Sequence, residues 1–115
     1  MGLRVAVGQS PVATDEYLTF AAQLGVEGVQ FNTPDLPGEH RWEEADIRAL
    51  VDRVAGYGLR VEAIENLPGH FYDEALLGLP GRDEQIEHVR ATITNLGRAG
   101  VPILGLHAML QSVWR

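Results

Sequence analysis

The sequence predicts an α/β fold in which parallel β-strands alternate with amphipathic helices, as in one half of a (β/α)8 barrel. Helical and strand-like segments alternate along the chain, and a glycine separates each predicted helix from the next strand, at Gly25, Gly58 and Gly100. The last strand-like segment, residues 101–106, is apolar on both faces, which is typical of parallel sheets covered by helices. Alternation of this kind implies right-handed crossovers, in either an open, doubly wound sheet or a closed barrel.

The first unit of this alternation lies before Gly25. Residues 3–8 predict a strand, and the Gln9-Ser10-Pro11 segment interrupts it. Thr14 can cap a helix that runs to about Leu24. The broad apolar side of that helix consists of Tyr17, Leu18, Phe20, Ala21 and Leu24.

The second unit contains a turn-rich loop and a longer helix. Residues 27–31 predict the second strand, and the loop over 32–38 follows it. The next helix begins at Trp42 or Glu43 and ends at Tyr57, with a predicted buried stripe of Ile47, Leu50, Val51 and Val54. The third strand is predicted over residues 59–65.

The third unit contains the longest loop of the chain. Roughly sixteen residues separate the third strand from a helix that begins near Arg82 or Asp83 and ends at Gly100. Loops longer than about 12–15 residues in compact domains are usually functional or disordered. The helix places Ile86, Val89, Ile93 and Leu96 on a face suited to packing, and residues 101–106 then predict the fourth strand.

The absence of nucleotide-binding motifs favours the barrel over the open sheet. The sequence contains no GxGxxG fingerprint, phosphate-binding loop, HExxH or GxSxG motif. A complete barrel takes about 250 residues, so we expect residues 1–115 to form the N-terminal half of a single barrel domain, with four parallel strands and three helices. Strands adjacent in sequence should pair, and all helices should lie on one face of the sheet.

The composition is that of a globular protein. The 115 residues are 45% hydrophobic with a net charge of −7, and no basic stripe indicates a nucleic-acid partner. The sequence has no cysteine, which excludes disulfides and thiolate ligands within it. The longest nearly apolar run, residues 101–110, is about half of the ~20 residues that a membrane span needs, and the N-terminus does not resemble a signal peptide. We therefore expect a cytoplasmic protein with no membrane partner.

Several segments resemble the N-terminal part of the mannonate dehydratases, which are sugar-acid lyases with a metal-dependent, xylose-isomerase-like barrel. Residues 63–70 (AIENLPGH) and 77–84 (LGLPGRDE) are similar to that family's third strand end and to the loop and helix start that follow it. Residues 95–102 and 113–115 continue the likeness, and weaker similarity reaches back to about Gly25.

The resemblance implies both a substrate and a metal. It suggests dehydration of D-mannonate to 2-keto-3-deoxygluconate in hexuronate catabolism, with a divalent cation, Mn²⁺ or Fe²⁺, polarising the substrate. The family's His, Cys and Asp ligands come from later strands and would lie beyond Arg115. At Leu106, Ala108 and Leu110 the sequence departs from the family, which usually has two aromatic residues and a proline there.

Six residues are candidates for contacts with a sugar-acid substrate, since chemistry in parallel α/β folds sits where the strands end. Glu65 could accept a hydrogen bond from a hydroxyl group, or it could be a solvent-exposed carboxylate. Arg82 could clamp a carboxylate or pair with Asp83. His70 shares the long loop, and His107 could line the site or be structural. The set is completed by the C-terminal pair, which could bind the substrate or fray, Trp114 and Arg115.

Beside the hydro-lyase two alternatives remain open, namely a sugar isomerase or epimerase of the same barrel type and a non-catalytic half-barrel. We expect residues 1–115 alone to lack dehydratase activity, because Glu65, His70 and His107 offer at most a loose metal site. Unpaired edge strands and an exposed apolar inner face predict that the isolated chain forms homo-oligomers or aggregates. Four further titratable residues are expected to lie on the surface: His40, Asp73, Glu74 and His88.

Overall fold

Four parallel strands form one sheet in the computed structural model, which describes residues 2–109. The strands lie side by side in sequence order, so each one pairs with its neighbours along the chain, as predicted. Their bounds are β1 (Ala6–Ser10), β2 (Gly28–Asn32), β3 (Arg60–Glu65) and β4 (Leu104–Gly105).

Within the described residues, four α-helices and one 3₁₀ turn connect the strands. They are α1 (Asp15–Gln23), α2 (Glu44–Ala55), the 3₁₀ turn (Gly69–Phe71), α3 (Asp73–Leu77) and α4 (Arg82–Arg98). The predicted number of three helices is wrong, because the long loop after β3 folds into the 3₁₀ turn and α3. A helix of five residues is too short to show the 3.6-residue periodicity from which helices are predicted.

The predicted cap of α1 is confirmed, and the same helix end is fastened to α2. The Oγ1 atom of Thr14 accepts a hydrogen bond from the Tyr17 amide at 3.1 Å. The Tyr57 hydroxyl and the Arg53 Nη2 atom both donate to Asp15 Oδ1, at 2.6 and 2.7 Å. These two donors hold the pKa of Asp15 below its usual value. Helices α1 and α2 therefore lie side by side on the sheet.

The core lies between the helices and one face of the sheet. Alternate residues of β2 point toward the helices and are fully buried, and two residues of β3, three positions apart because of a register shift, are almost fully buried beside them. The helices cover them with Leu18 and Ala21 from α1, Ile47, Leu50 and Val54 from α2, and Leu96 from α4. The sheet contributes Val29, Phe31, Val61 and Ile64.

The predicted packing face of α4 is wrong in part. Ile86 and Ile93 are 43% and 51% exposed, whereas Thr92 and Leu96 are buried. The reason is Trp42, a fully buried residue that precedes α2: its backbone N–H donates to Thr92 Oγ1 at 3.3 Å, and this contact turns Thr92 inward. Similarly, Phe20 and Leu24 at α1 are about half exposed, since α1 and α4 are the outer helices of the described layer.

The two edge strands differ from their predicted bounds. Strand β1 occupies residues 6–10 instead of 3–8, and β4 is limited to Leu104 and Gly105 instead of residues 101–106. Val101 is buried, but Ile103 is 57% exposed. In the described part of the chain β4 has a strand on only one side, so few backbone groups of residues 101–106 find a partner.

Over β2 and β3 the face of the sheet opposite the helices carries charged and polar side chains, where an apolar inner face was predicted. Arg4 and Glu62 form an ion pair at 2.9 Å across β2, and Glu62 passes directly over Gly28 to reach it. A Cβ atom at Gly28 would lie 2.4 Å from the Glu62 Cγ atom, so only glycine leaves room for this crossing. The predicted self-association stays a prediction.

Candidate functional site

The backbone adopts a rarely used conformation at the ends of the first three strands. Gln9, Thr33 and Asn66 have φ angles of +83°, +43° and +67°, and they are the non-glycine residues with positive φ among residues 2–109. Each such residue costs on the order of 1–3 kcal/mol, and strain of this kind clusters at functional sites. Interactions around the strand ends must therefore hold these residues in place.

Glu65, the last residue of β3, accepts hydrogen bonds from two side-chain amides that belong to two other strands. The Nε2 atoms of Gln9 and Gln30 donate to Glu65 Oε2 at 3.1 and 3.2 Å. Gln9 reaches Glu65 over β2, because a register shift between Gly8 and Ser10 leaves Gln9 outside the regular pairing of β1 with β2. Such bulges redirect side chains near active sites.

A second set of contacts joins the ends of β2, β3 and β4. The side-chain amide of Asn66 donates to Asn32 Oδ1 at 3.2 Å and accepts from the His107 backbone N–H at 2.8 Å. The backbone N–H of Thr33 donates to the Glu65 carbonyl oxygen at 2.7 Å. The side chains of both sets together form what we call the strand-end cluster, which consists of Gln9, Gln30, Asn32, Glu65 and Asn66.

The chemistry of the strand-end cluster suits a polyhydroxylated ligand. Its members are one carboxylate and four carboxamides. An ionised carboxylate only accepts hydrogen bonds, whereas a carboxamide both donates and accepts them. Since sugar hydroxyls also donate and accept, the cluster can recognise several hydroxyl groups of one molecule.

The other candidate residues are spread more widely. His107 follows β4 and joins the cluster through its backbone, and its carbonyl oxygen accepts from the Tyr72 hydroxyl at 3.2 Å. Arg82 begins α4 and pairs with Asp83 at 2.9 Å, with 55% of its side chain exposed. The remaining two candidates lie outside the described residues: Trp114 and Arg115.

His70 lies in a separate cleft of about 340 Å³ between the loop after β2 and the start of α4. We call it the loop cleft. Four carboxylates and three imidazoles line it, whereas the residues of the strand-end cluster do not. Its charged and polar lining residues are Glu39, His40, His70, Asp73, Glu74, Glu84, Gln85 and His88.

The imidazole rings of His40 and His88 stack in the loop cleft with centroids 5.5 Å apart. His88 Nε2 lies 3.6 Å from Glu84 Oε1, and its buried Nδ1 atom has no hydrogen-bond partner among residues 2–109. His88 is part-buried, with 24% of its side chain exposed, so its assignment to the surface is wrong, whereas Asp73 remains accessible to solvent. The spacing of Glu84 and His88 along α4 could have indicated their contact, but no local signal places His40 beside them.

Gln85 organises the other side of the loop cleft. Its Nε2 atom donates to Asp73 Oδ1 at 2.8 Å and to the His70 carbonyl oxygen at 3.1 Å. The hydrogen bond from Gln85 is the main reason why the pKa of Asp73 lies below its usual value, and the Glu74 backbone N–H contributes in the same direction. The loop that contains α3 is thereby fastened to α4.

The described residues do not assemble a metal site. Between residues 2 and 109 no three His, Cys, Asp or Glu side chains converge in a way that could hold a metal ion. Glu65 lies among amides, and His70 belongs to the loop cleft. The ligand set that the family resemblance implies therefore does not fit this part of the chain.

Sequence reasoning missed Gln30 and Asn32 as partners of Glu65 and Asn66. The signal was present, because β2 reads GVQFN, with buried Val29 and Phe31 alternating with polar residues. Alternation places Gln30 and Asn32 on the face away from the helices.

In the part of the chain that the structure describes, no helix is both long and apolar enough to cross a membrane.

Comparisons with known proteins agree on one family. The family model of D-mannonate dehydratase (UxuA) matches residues 12–115. A mannonate dehydratase from Streptococcus equi subsp. zooepidemicus is 32% identical over 104 residues, which are 90% of this chain and 27% of that protein. One from Thermotoga petrophila is 38% identical over 90 residues, which are 78% and 24%. The chain thus spans about a quarter of the length of these relatives.

Solved structures confirm the fold. The crystal structure of mannonate dehydratase from Streptococcus suis serotype 2 superposes with a TM-score of 0.77 at 26% identity, over 95% of this chain and 31% of that one. A xylose isomerase domain protein from Planctomyces limnophilus gives a TM-score of 0.59 at 20% identity, over 91% and 41%. The four strands and their helices are therefore a partial barrel of the predicted type.

Proposed function

This chain belongs to the D-mannonate dehydratase family, and we propose that it supplies the first four strand ends of an active site that converts D-mannonate to 2-keto-3-deoxygluconate. The reaction removes a proton from C2 and hydroxide from C3 as water, and the resulting enol becomes the 2-keto acid. The proposal places the enzyme in hexuronate catabolism in the cytoplasm. It is supported by the family membership and by the polar cluster at the strand ends.

The observation that carries the proposal is the position of Glu65. It ends β3 within one of the segments that resemble the family, and amides from β1 and β2 converge on its carboxylate. We propose that this carboxylate accepts a hydrogen bond from a hydroxyl group of the open-chain sugar acid. A charge-assisted hydrogen bond of this kind contributes about 1.5–3 kcal/mol.

The remaining substrate contacts are proposed from the family resemblance. Arg82 would bind the substrate carboxylate after leaving Asp83, His70 and His107 would contact the sugar acid from their loops, and Trp114 and Arg115 would complete the site. The divalent metal of the family, Mn²⁺ or Fe²⁺, would stabilise negative charge on substrate oxygens. Because the described residues do not fit a metal, we assign its ligands to the chain beyond Arg115 and no step to these residues.

The direct test uses a full-length barrel that contains residues 1–115, purified with Mn²⁺. Formation of 2-keto-3-deoxygluconate from D-mannonate is expected. Interconversion of aldose and ketose without loss of water would instead support the isomerase alternative. The absence of either reaction would support a non-catalytic role and contradict the proposal.

A further inference from the structure

We propose that Gln9 and Gln30 are positioning residues that fix the orientation of the Glu65 carboxylate. The inference rests on the proposed function, in which Glu65 accepts a hydrogen bond from a substrate hydroxyl. Both glutamines donate to the same oxygen, Oε2, at 3.1 and 3.2 Å. The terminal torsion of a glutamate side chain has a broad preference, so it rotates readily unless neighbours hold it. Two donors from two different strands remove that freedom.

The backbone at Gln9 supports a role for its side chain. A φ of +83° is a conformation that glycine adopts without steric cost, yet a glutamine occupies it. The bulge and the positive φ together send the Gln9 side chain across β2 to Glu65. Any residue with a Cβ atom is strained in this conformation. The presence of glutamine instead of glycine therefore indicates a role for the side-chain amide of Gln9.

Gln30 is held in register by a contact on the opposite side of the sheet. The Tyr17 hydroxyl from α1 lies 3.0 Å from the Val7 carbonyl oxygen and 3.4 Å from that of Gln30. The Tyr17 hydroxyl therefore links the backbone of β1 at Val7 to the backbone of β2 at Gln30. The two amides approach Glu65 from strands whose relative position is fixed, which is the condition for a preorganised site.

The test compares Gln9→Gly and Gln30→Met in the complete enzyme. Each variant removes one donor, and each should lower kcat/KM for D-mannonate by about tenfold, mainly through kcat, because a displaced group stabilises the transition state poorly. Metal content should not change. Gln9→Gly should leave Tm within about 2 °C, since glycine suits the backbone there. A purely structural role would instead lower Tm and leave kcat unchanged.

Gln23→Met, an exposed glutamine at the end of α1, is the matched control and should have no effect. A combination with Glu65→Gln separates positioning from an independent contact. If the glutamines act through Glu65, adding Gln9→Gly or Gln30→Met to Glu65→Gln should cause no further loss of kcat/KM. A further tenfold loss would show that they act on the substrate directly and would overturn the inference.

Crystal structures of the same proteins keep the inference testable if the enzyme does not dehydrate D-mannonate. Failure of the activity assay alone would refute the proposed function. The inference predicts one Glu65 carboxylate orientation in the unaltered enzyme and rotated or multiple orientations in Gln30→Met. An unchanged Glu65 orientation in both glutamine variants would overturn it, whatever the substrate.

Discussion

The strand-end cluster and the loop cleft lie on neighbouring connections of one half-barrel, but they are built in opposite ways. The cluster has one carboxylate, and donors from two other strands contact it. The loop cleft has four carboxylates and three imidazoles, most of them on surface loops and helix starts. A concentration of ionisable groups is therefore not by itself a preorganised site. Orientation comes from the sheet, and it marks the cluster as the better candidate for substrate recognition.

The largest effect should come from separating the cluster from the rest of the barrel. The polypeptide 1–115 alone should give no measurable 2-keto-3-deoxygluconate with added Mn²⁺ or Fe²⁺, because its described residues orient a hydroxyl acceptor but do not converge on a metal. The measurement is a product assay on purified 1–115 beside the complete enzyme. Clear turnover by 1–115 would mean that the chemistry resides in this half.

Glu65→Gln should be the most damaging single substitution. It keeps the shape of the side chain but replaces the charged acceptor, so kcat/KM should fall by about 100-fold while metal content is unchanged. Glu62→Gln on the same strand is the matched control, since Glu62 pairs with Arg4 away from the strand ends. An equal loss in both variants would assign the effect to the stability of β3 instead of to substrate recognition.

Arg82→Ala tests whether a residue that belongs to neither of the two regions contributes. The Arg82 side chain is 55% exposed and paired with Asp83, and a surface pair of this kind is worth only about 0–1 kcal/mol. Arg82 can therefore exchange Asp83 for a substrate carboxylate at little cost. KM should rise by roughly 3- to 10-fold without loss of metal. Arg90→Ala, which removes another exposed pair on α4, should leave KM unchanged, and loss of metal in Arg82→Ala would show that its role is misassigned.

His70→Ala should have a smaller effect than Arg82→Ala, because the contact that holds its loop uses the backbone carbonyl oxygen instead of the ring. We expect kcat/KM to stay within about threefold of the unaltered enzyme. Steady-state kinetics on both variants measure the order. A loss as large as that of Glu65→Gln would mean that the loop cleft belongs to the substrate site and that the contrast between the two regions is wrong.

The sequence was sufficient for the order of strands and helices, because glycines and apolar periodicity are local signals. It was insufficient wherever a distant residue decides the outcome. Trp42 turns Thr92 of α4 inward, and a bulge in β1 brings Gln9 to Glu65. Likewise, Glu65 could be placed at a strand end from the sequence, but its partners depend on strand register, which local patterns do not specify.

The smallest expected effect concerns the charge of Asp73 in the loop cleft. The hydrogen bond from Gln85 lowers the pKa of Asp73 below its ordinary value of 3.8. A carboxyl group with a lowered pKa stabilises the folded state above its unfolded pKa, and this contribution disappears as the pH falls through the folded-state pKa. Asp73→Asn should therefore lower the urea midpoint slightly at pH 7 and pH 5, and the difference should shrink below pH 3.8.

Asp46→Asn in the first turn of α2 controls for the loss of one negative charge near a helix start. Urea unfolding of the three proteins across this pH range measures the effect. Because Asp73 is solvent-accessible, its contribution is screened by water, so its titration should alter stability without altering kcat. A difference between Asp73→Asn and the unaltered enzyme that grows as the pH falls would mean that the pKa of Asp73 is raised. That outcome would contradict the role of the hydrogen bond from Gln85 to Asp73.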